Sequence, residues 1–218
     1  MTGIDEPASD TRTDRVRLRS AARREAERQE LREKVLDIAR RQLLANGYSR
    51  FSVREVAEEA GYTPTALYHY FADRDALLRE VTRGYYAQFT ARWEAANASA
   101  TAPRDRLIAM GQAYVRFASD HPAIFRLMFM ERPEMGAGAT RDRIAEDSNF
   151  RLMLQALAEL VERGEVVVED YGQVGVALWS CMHGLAALFI TIDLMSLDQL
   201  FATARFISET NLDALRPK

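Results

Sequence analysis

SVREVAEEAGYTPTALYHYFADRDALLR, residues 52–79, is the stretch whose reading decides the fold of this chain. Ser52 followed three residues later by Glu55 is a capping-box spacing, in which hydroxyl and carboxylate reciprocally satisfy the N–H groups that a helix start leaves unpaired. Val53, Val56, Ala57 and Ala60 then recur at the i, i+3, i+4, i+7 spacing of one apolar face, with Arg54, Glu55, Glu58 and Glu59 on the others. Gly61 ends this helix, because glycine enters the left-handed conformation of a helix C-terminus without a Cβ clash. One residue further on, Thr63-Pro64 supplies an N-cap and a proline at the first helical position, so a second short helix begins at once. Within it Leu67 and Phe71, at i and i+4, face the core, and Thr65, Tyr68 and His69 point largely the other way.

Two short helices joined by so tight a glycine turn form a helix-turn-helix, whose second helix lies in the major groove of DNA. Gly61-Tyr62-Thr63-Pro64, the Leu67-Tyr68-x-x-Phe71 step and the Asp73-Arg74-Asp75-x-Leu77-Leu78 start of the next helix resemble the DNA-binding domain of the TetR family of transcriptional regulators, over about Arg32 to Val81. The resemblance implies DNA contacts from Ser52, Arg54, Thr63, Thr65, Tyr68, His69 and Arg74. Their chemistry divides the roles. Arg54 can offer a bidentate fork to a guanine edge, worth about 1 to 3 kcal/mol of discrimination. Thr65 and His69 can donate or accept at base edges, whereas Ser52, Tyr68 and Arg74 suit phosphate, Arg74 being close to a helix N-terminus that favours anions. Tyr70 falls between the buried and exposed faces. The rival for the whole set is a solvated polar face.

Outward from this stretch the pattern stays helical, and the fold class is all-α: an N-terminal three-helix helix-turn-helix domain joined to a larger helical ligand-binding and dimerisation domain. Helix 1 starts within Ala21 to Glu30 and carries Leu31, Val35, Ile38, Ala39 and Leu43 inward before Asn46-Gly47 stops it. Ahead of it, Arg12 to Arg24 holds six arginines against one acid, a local charge of +5. Residues 1–24 therefore read as a disordered basic arm that either follows DNA phosphates and the minor groove or is a solvated tail. Residues 25–80 form the helix-turn-helix domain and residues 81–218 the regulatory and dimerisation domain. Helix 4, from Asp73 as N-cap to about Ala96, connects them, since Ala76, Leu77, Val81, Tyr85 and Phe89 make one continuous stripe. Further helices are expected over about Arg104 to Asp120, Pro122 to Met130, Arg141 to Arg163, Tyr171 to Met195 and Leu197 to Ala214, with 165–169 a loop that buries its valines.

In the C-terminal half, Trp179 and His183 are one helical turn apart, and Gly184 invites a close approach of another backbone. This W-x-x-x-H-G step, with His121-Pro122-x-x-Phe125-x-x-Met128-Phe129 before it, is similar to the motif of a TetR subgroup named for it. The resemblance implies that Trp179 and His183 line an effector pocket; the alternative is a core histidine bonded to a backbone carbonyl. Phe89, Trp93, Met110, Tyr114, Phe117, Phe125, Met128 and Met182 join them as pocket candidates, although a stripe of this kind also serves as plain core. Methionine adapts to varied shapes, which suits a small apolar or amphipathic effector.

Composition excludes several classes. At 218 residues, 48% hydrophobic and 28% charged, the chain has the makeup of a soluble globular protein, and its net charge of −3 says less than where the arginines sit. A single cysteine, Cys181, and a polar start fit a cytoplasmic protein. No formal charge occurs between Asp170 and Asp193, a length that could span a bilayer, yet Gln173, Ser180, His183 and Thr191 interrupt it and favour a buried helix, with no membrane partner. That helix is apolar around more of its circumference than one core can cover, which points to a homodimer built on the two C-terminal helices. Three scattered histidines and the lack of any Cys-x-x-Cys or Gly-rich phosphate loop give no metal, cofactor or catalytic residue. The expected protein is a repressor that binds a palindromic double-stranded operator and is released by its ligand. The alternative is a helical adaptor that does not act on DNA.

Overall fold

In a computed structural model of the chain, the residues described are 11–131 and 148–217, with side chains from Arg17 onward. They form helices and connecting turns, with no strand among them, and divide after Val81 into two compact units.

The first unit contains α1 (Thr11–Asn46), a 3-10 turn (Tyr48–Arg50), α2 (Val53–Ala60), α3 (Pro64–Tyr68) and the start of α4 (Arg74–Ala98). Its core is Leu31, Val35, Ile38, Ala39 and Leu43 from α1 against Phe51, Val56, Ala57, Ala60, Leu67, Phe71 and Leu77. Gly61 closes α2 at φ +84°, where its N–H reaches the carbonyls of Ala57 and Glu58. Ser52 caps α2 by accepting from Glu55 N–H at 3.4 Å, so among the described residues only the serine half of the expected capping box is made. Thr63 caps α3 through Ala66 N–H at 3.2 Å, and Asp73 caps α4 through Ala76 N–H at 2.6 Å.

One expectation is overturned here. Residues 11–24, taken as disordered, are helical, because α1 runs unbroken from Thr11. No glycine or proline interrupts it, Ala21, Ala22 and Ala26 favour helix, and Arg23 pairs with Glu27 one turn on at 3.2 Å. Residues 1–10 lie outside the described residues.

The second unit contains the rest of α4, α5 (Pro103–Asp120), α6 (Pro122–Phe125) running into a wider turn (Arg126–Met130), α7 (Ser148–Glu162), α8 (Tyr171–Thr191) and α9 (Leu197–Ala214). Helix α5 is the central element, packed on α7, α8 and α9. Its Met110, Tyr114 and Phe117 are almost wholly buried, with Phe125 beside them. Side chains press directly on the backbone at Gly111, where a Cβ would stand 2.9 Å from Ser208 Oγ, and at Gly175, where it would stand 2.7 Å from Leu154 Cδ2. Neither was singled out by sequence.

Three further expectations change. Helix α8 ends at Thr191, short of Met195: Thr191 Oγ1 bonds back to the Ala187 carbonyl at 2.6 Å, and Ile192 is extended. The same helix is not fully buried within its own chain. It covers Gly175, Met182, Leu185 and Ala186 and leaves Val176 and Leu188 exposed. In the 165–169 loop only Val166 is buried; Val167 is exposed and its N–H donates to Leu215 O at 2.8 Å. Of the helix expected from Arg141, residues 141–147 lie outside the described residues.

Candidate nucleic-acid interface and ligand cavity

Thr65, Tyr68 and His69 are all exposed on α3 and its C-cap, Tyr68 to 50%. The caps that start α3 also orient them, since Thr63 Oγ1 and Pro64 fix the first turn. Sequence reasoning passed over Tyr62, 45% exposed in the turn just before α3, although a tyrosine left in solvent beside a recognition helix is itself a signal. Tyr70 is half-buried, with the Arg28 guanidinium 5.7 Å from its ring centroid.

The remaining expected contacts are committed elsewhere to differing degrees. Ser52 and Thr63 accept backbone N–H bonds as N-caps. Arg54 is exposed, but its Nε donates to Glu58 at 2.9 Å, and that hydrogen bond, with the carboxylate charge, raises the arginine pKa. Arg74 departs furthest from the sequence reading. It is half-buried, donates from Nη2 to the Tyr48 carbonyl at 2.7 Å, and stacks 4.3 Å from the Tyr48 ring centroid and 5.7 Å from that of Phe51. The reason is geometric: the Tyr48 carbonyl accepts the Phe51 N–H at 3.2 Å to close the 3-10 turn, and its second lone pair takes the guanidinium.

In the second unit three of the expected pocket residues form one hydrogen-bonded group. Trp179 Nε1, a donor only, bonds to the Tyr114 hydroxyl at 3.1 Å, and that hydroxyl lies 2.9 Å from His183 Nδ1. The phenol therefore accepts from the indole and shares a second hydrogen bond with the imidazole, whose direction is set by the His183 tautomer. Burial lowers the His183 pKa and so favours the neutral imidazole. The histidine is thus held by a phenol, where the sequence alternative had a backbone carbonyl.

Beside this group runs a narrow cleft enclosing about 460 Å³, counting the space open to solvent. Trp93, Met110, Tyr114, Trp179 and Met182 line it, as expected. Phe89, Phe117, Phe125, Met128 and His183 do not: the first four are buried core, with Phe89 to Phe117 at 5.2 Å, and His183 is half-buried against Phe125 at 5.6 Å between ring centroids. The sequence missed Leu107, Gly111, Met153, Leu178, Ser208, Asn211 and Leu212, which complete the wall. The α9 residues were invisible because nothing in their spacing says which helix crosses α5. Among the described residues no charged side chain lines the cleft. Ser208 Oγ and Asn211 Nδ2 donate to their own helix at Ala204 O and Ile207 O, whereas the buried Trp93 Nε1 has no partner among the described residues. Gly184 meets nothing: a Cβ there would have no neighbour within 4 Å, which corrects the expected close approach within the chain.

Residues 35–81 match the family described as "Bacterial regulatory proteins, tetR family", and residues 107–205 match "Tetracyclin repressor-like, C-terminal domain". The chain belongs to the TetR family. Among its relatives, it is 31% identical over 156 residues to the HTH-type transcriptional regulator Rv1816 of Mycobacterium tuberculosis, covering 70% of this chain and 66% of that protein. It is 25% identical over 136 residues to the HTH-type transcriptional repressor KstR2 of the same species, covering 61% of this chain and 68% of the relative. A solved structure of a protein of unknown function from Rhodococcus sp. RHA1 superposes with a TM-score of 0.68 at 26% identity, over 86% of this chain and 96% of that one. This chain thus spans 66% of the length of Rv1816. The TetR match in the first unit contains the exposed α3 row, and the match in the second contains Tyr114, Trp179 and His183.

Proposed function

We propose that the protein is a cytoplasmic, homodimeric transcriptional repressor that holds a roughly palindromic operator and leaves it when a small neutral ligand enters the cleft. The exposed row of Thr65, Tyr68 and His69 on a capped recognition helix carries this reading. Each head takes one half-site, and the dimer axis sets their spacing. Helices α8 and α9 favour the dimer, because Val176, Leu188, Leu197 and Phe206 are left exposed and the matching helices of a second copy would cover them. The cleft favours an apolar ligand bearing a hydrogen-bond acceptor, since its wall is uncharged and a buried indole N–H there gains by being satisfied. A ligand must widen so narrow a space. Trp93 in its wall sits on α4, the helix whose first residue is Arg74, so a ligand that prefers the widened cleft biases the position of that helix and lowers operator affinity by the same coupling. The name of KstR2, a repressor, supports repression over activation.

Selection of bound fragments from a random duplex pool tests the reading. The expected product is an inverted repeat of constant spacing. Recovery of no duplex at low ionic strength would instead favour a helical adaptor.

A further inference from the structure

The face of α1 that packs the head does not end with the head. Val35 and Leu31 are buried on that face, and continuing toward the N-terminus in steps of four and three residues the same stripe reads Arg28, Arg24, Ala21 and Arg17. Every residue from Arg17 to Glu30 is exposed, so among the described residues nothing covers this part of the helix, which touches the first unit at Arg28. Its point of departure is fixed by two contacts. Arg32 pairs with Glu80 at 3.1 Å, and one turn earlier the Arg28 guanidinium sits over Tyr70, the neighbour of His69. The core face of α1 thus becomes an arginine edge at the end of the recognition helix. Arg17 and Arg24 have no ion pair among the described side chains, whereas Arg23, on the far side, is paired with Glu27.

We infer that Arg17, Arg24 and Arg28 form a rigid second contact to DNA, in which the projecting helix lies along the phosphate backbone flanking the half-site. The proposal rests on the repressor reading and adds to it a surface outside the helix-turn-helix. Arg17 and Arg28 are separated by about 16 Å at 1.5 Å per residue, more than the major groove is wide, so the stripe reaches several phosphates of one backbone. Rigidity is the physical content. A flexible arm collects phosphates with any of its arginines, but a helix continuous with a packed one presents only one side. Arg19 and Arg23 lie about 180° and 140° around the helix from Arg28 and face solvent.

The test compares two full-length double variants of equal charge change, Arg17→Ala with Arg24→Ala and Arg19→Ala with Arg23→Ala, on a labelled 30-base-pair duplex of mixed sequence. Fluorescence anisotropy gives binding at several salt concentrations. Alanine favours helix at these exposed sites, and circular dichroism confirms that both variants fold. The first pair should reduce the slope of log affinity against log salt by about 2 per protomer, roughly one unit for each lost phosphate contact, and the second pair by less than half of that. Equal losses in both pairs would make the segment a diffuse charged tail and overturn the proposal. So would an unchanged slope in the first pair while the wild type binds. Failure of the wild type itself to bind duplex DNA would instead remove the repressor reading on which the proposal stands.

Discussion

Arg74 holds Tyr48: its Nη2 donates to the Tyr48 carbonyl at 2.7 Å and its guanidinium lies 4.3 Å from the ring centroid. A side chain that the sequence assigned to phosphate is thereby a staple between the start of α4 and the turn after α1. Arg74→Ala should lower the stability of the first unit by about 1 to 2 kcal/mol, the usual value of a charge-assisted hydrogen bond with a partly exposed cation–π contact. A urea melt checks this. A stability equal to wild type with weakened binding to every duplex would return Arg74 to the phosphate role.

Arg54 and Glu58 compete with DNA. In the free protein the carboxylate holds the arginine Nε at 2.9 Å, and a bidentate approach to guanine must turn the side chain away from it. Glu58→Gln weakens that restraint and removes a negative charge beside the duplex, so operator affinity should rise several-fold. Arg54→Ala should flatten preference at one base position while leaving the others. Titration of a base-substituted operator set measures both, and an Arg54→Ala variant that weakens all sequences alike would make it a phosphate ligand.

What could be read from sequence was what local chemistry writes. Gly61, Thr63-Pro64 and Asp73 each announce a helix end with their own atoms, and the structure uses each as expected. Helix α9 over Leu197–Ala214 falls on its expected bounds because Ser196 and Gln199 form a full capping box. What could not be read depends on which elements cross. Ser208, Asn211 and Leu212 join the cleft only because α9 packs on α5, and Gly111 is tight for the same reason, whereas Gly184, chosen for its place in a motif, faces open space. The α1 extension was misjudged differently: charge density suggested a tail, but alanines and an i, i+4 ion pair on a helix already nucleated by a packed core outweigh like-charge repulsion.

The two glycines separate packing within a chain from packing between chains. Gly111→Ala places a Cβ 2.9 Å from Ser208 Oγ and 3.1 Å from Met182 Sδ, and should destabilise the protein by about 1 to 3 kcal/mol through overpacking. Gly184→Ala meets nothing within 4 Å in its own chain and should add about 0.5 to 1 kcal/mol of helix stability. Thermal melts of both give the signs. Analytical ultracentrifugation adds the second reading: a Gly184→Leu variant that stays folded but loses dimer places this glycine against the second copy, and an unchanged dimer excludes it.

The Tyr114 group makes stability fall in mild acid. Burial sets the folded His183 pKa below its unfolded value of about 6.5, so in the interval between them the unfolded chain binds more protons and stability rises with pH. The contribution of this residue is complete above about pH 6.5 and is lost as pH falls from there toward the folded value. His121 works in the same direction, its pKa lowered by burial and by Arg92, so both histidines contribute to the wild-type decline. His183→Gln removes one of them while leaving an acceptor for the Tyr114 hydroxyl. Between pH 7.5 and about pH 5 its melting temperature should therefore fall less than that of wild type, and the double variant with His121→Gln less again. The protonated imidazole is disfavoured because burial takes its charge out of water. Because Tyr114 and Trp179 also wall the cleft, the same protonation should weaken ligand binding in wild type and not in His183→Gln. A variant whose melting temperature tracks wild type across the whole interval would show that the histidine keeps its ordinary pKa.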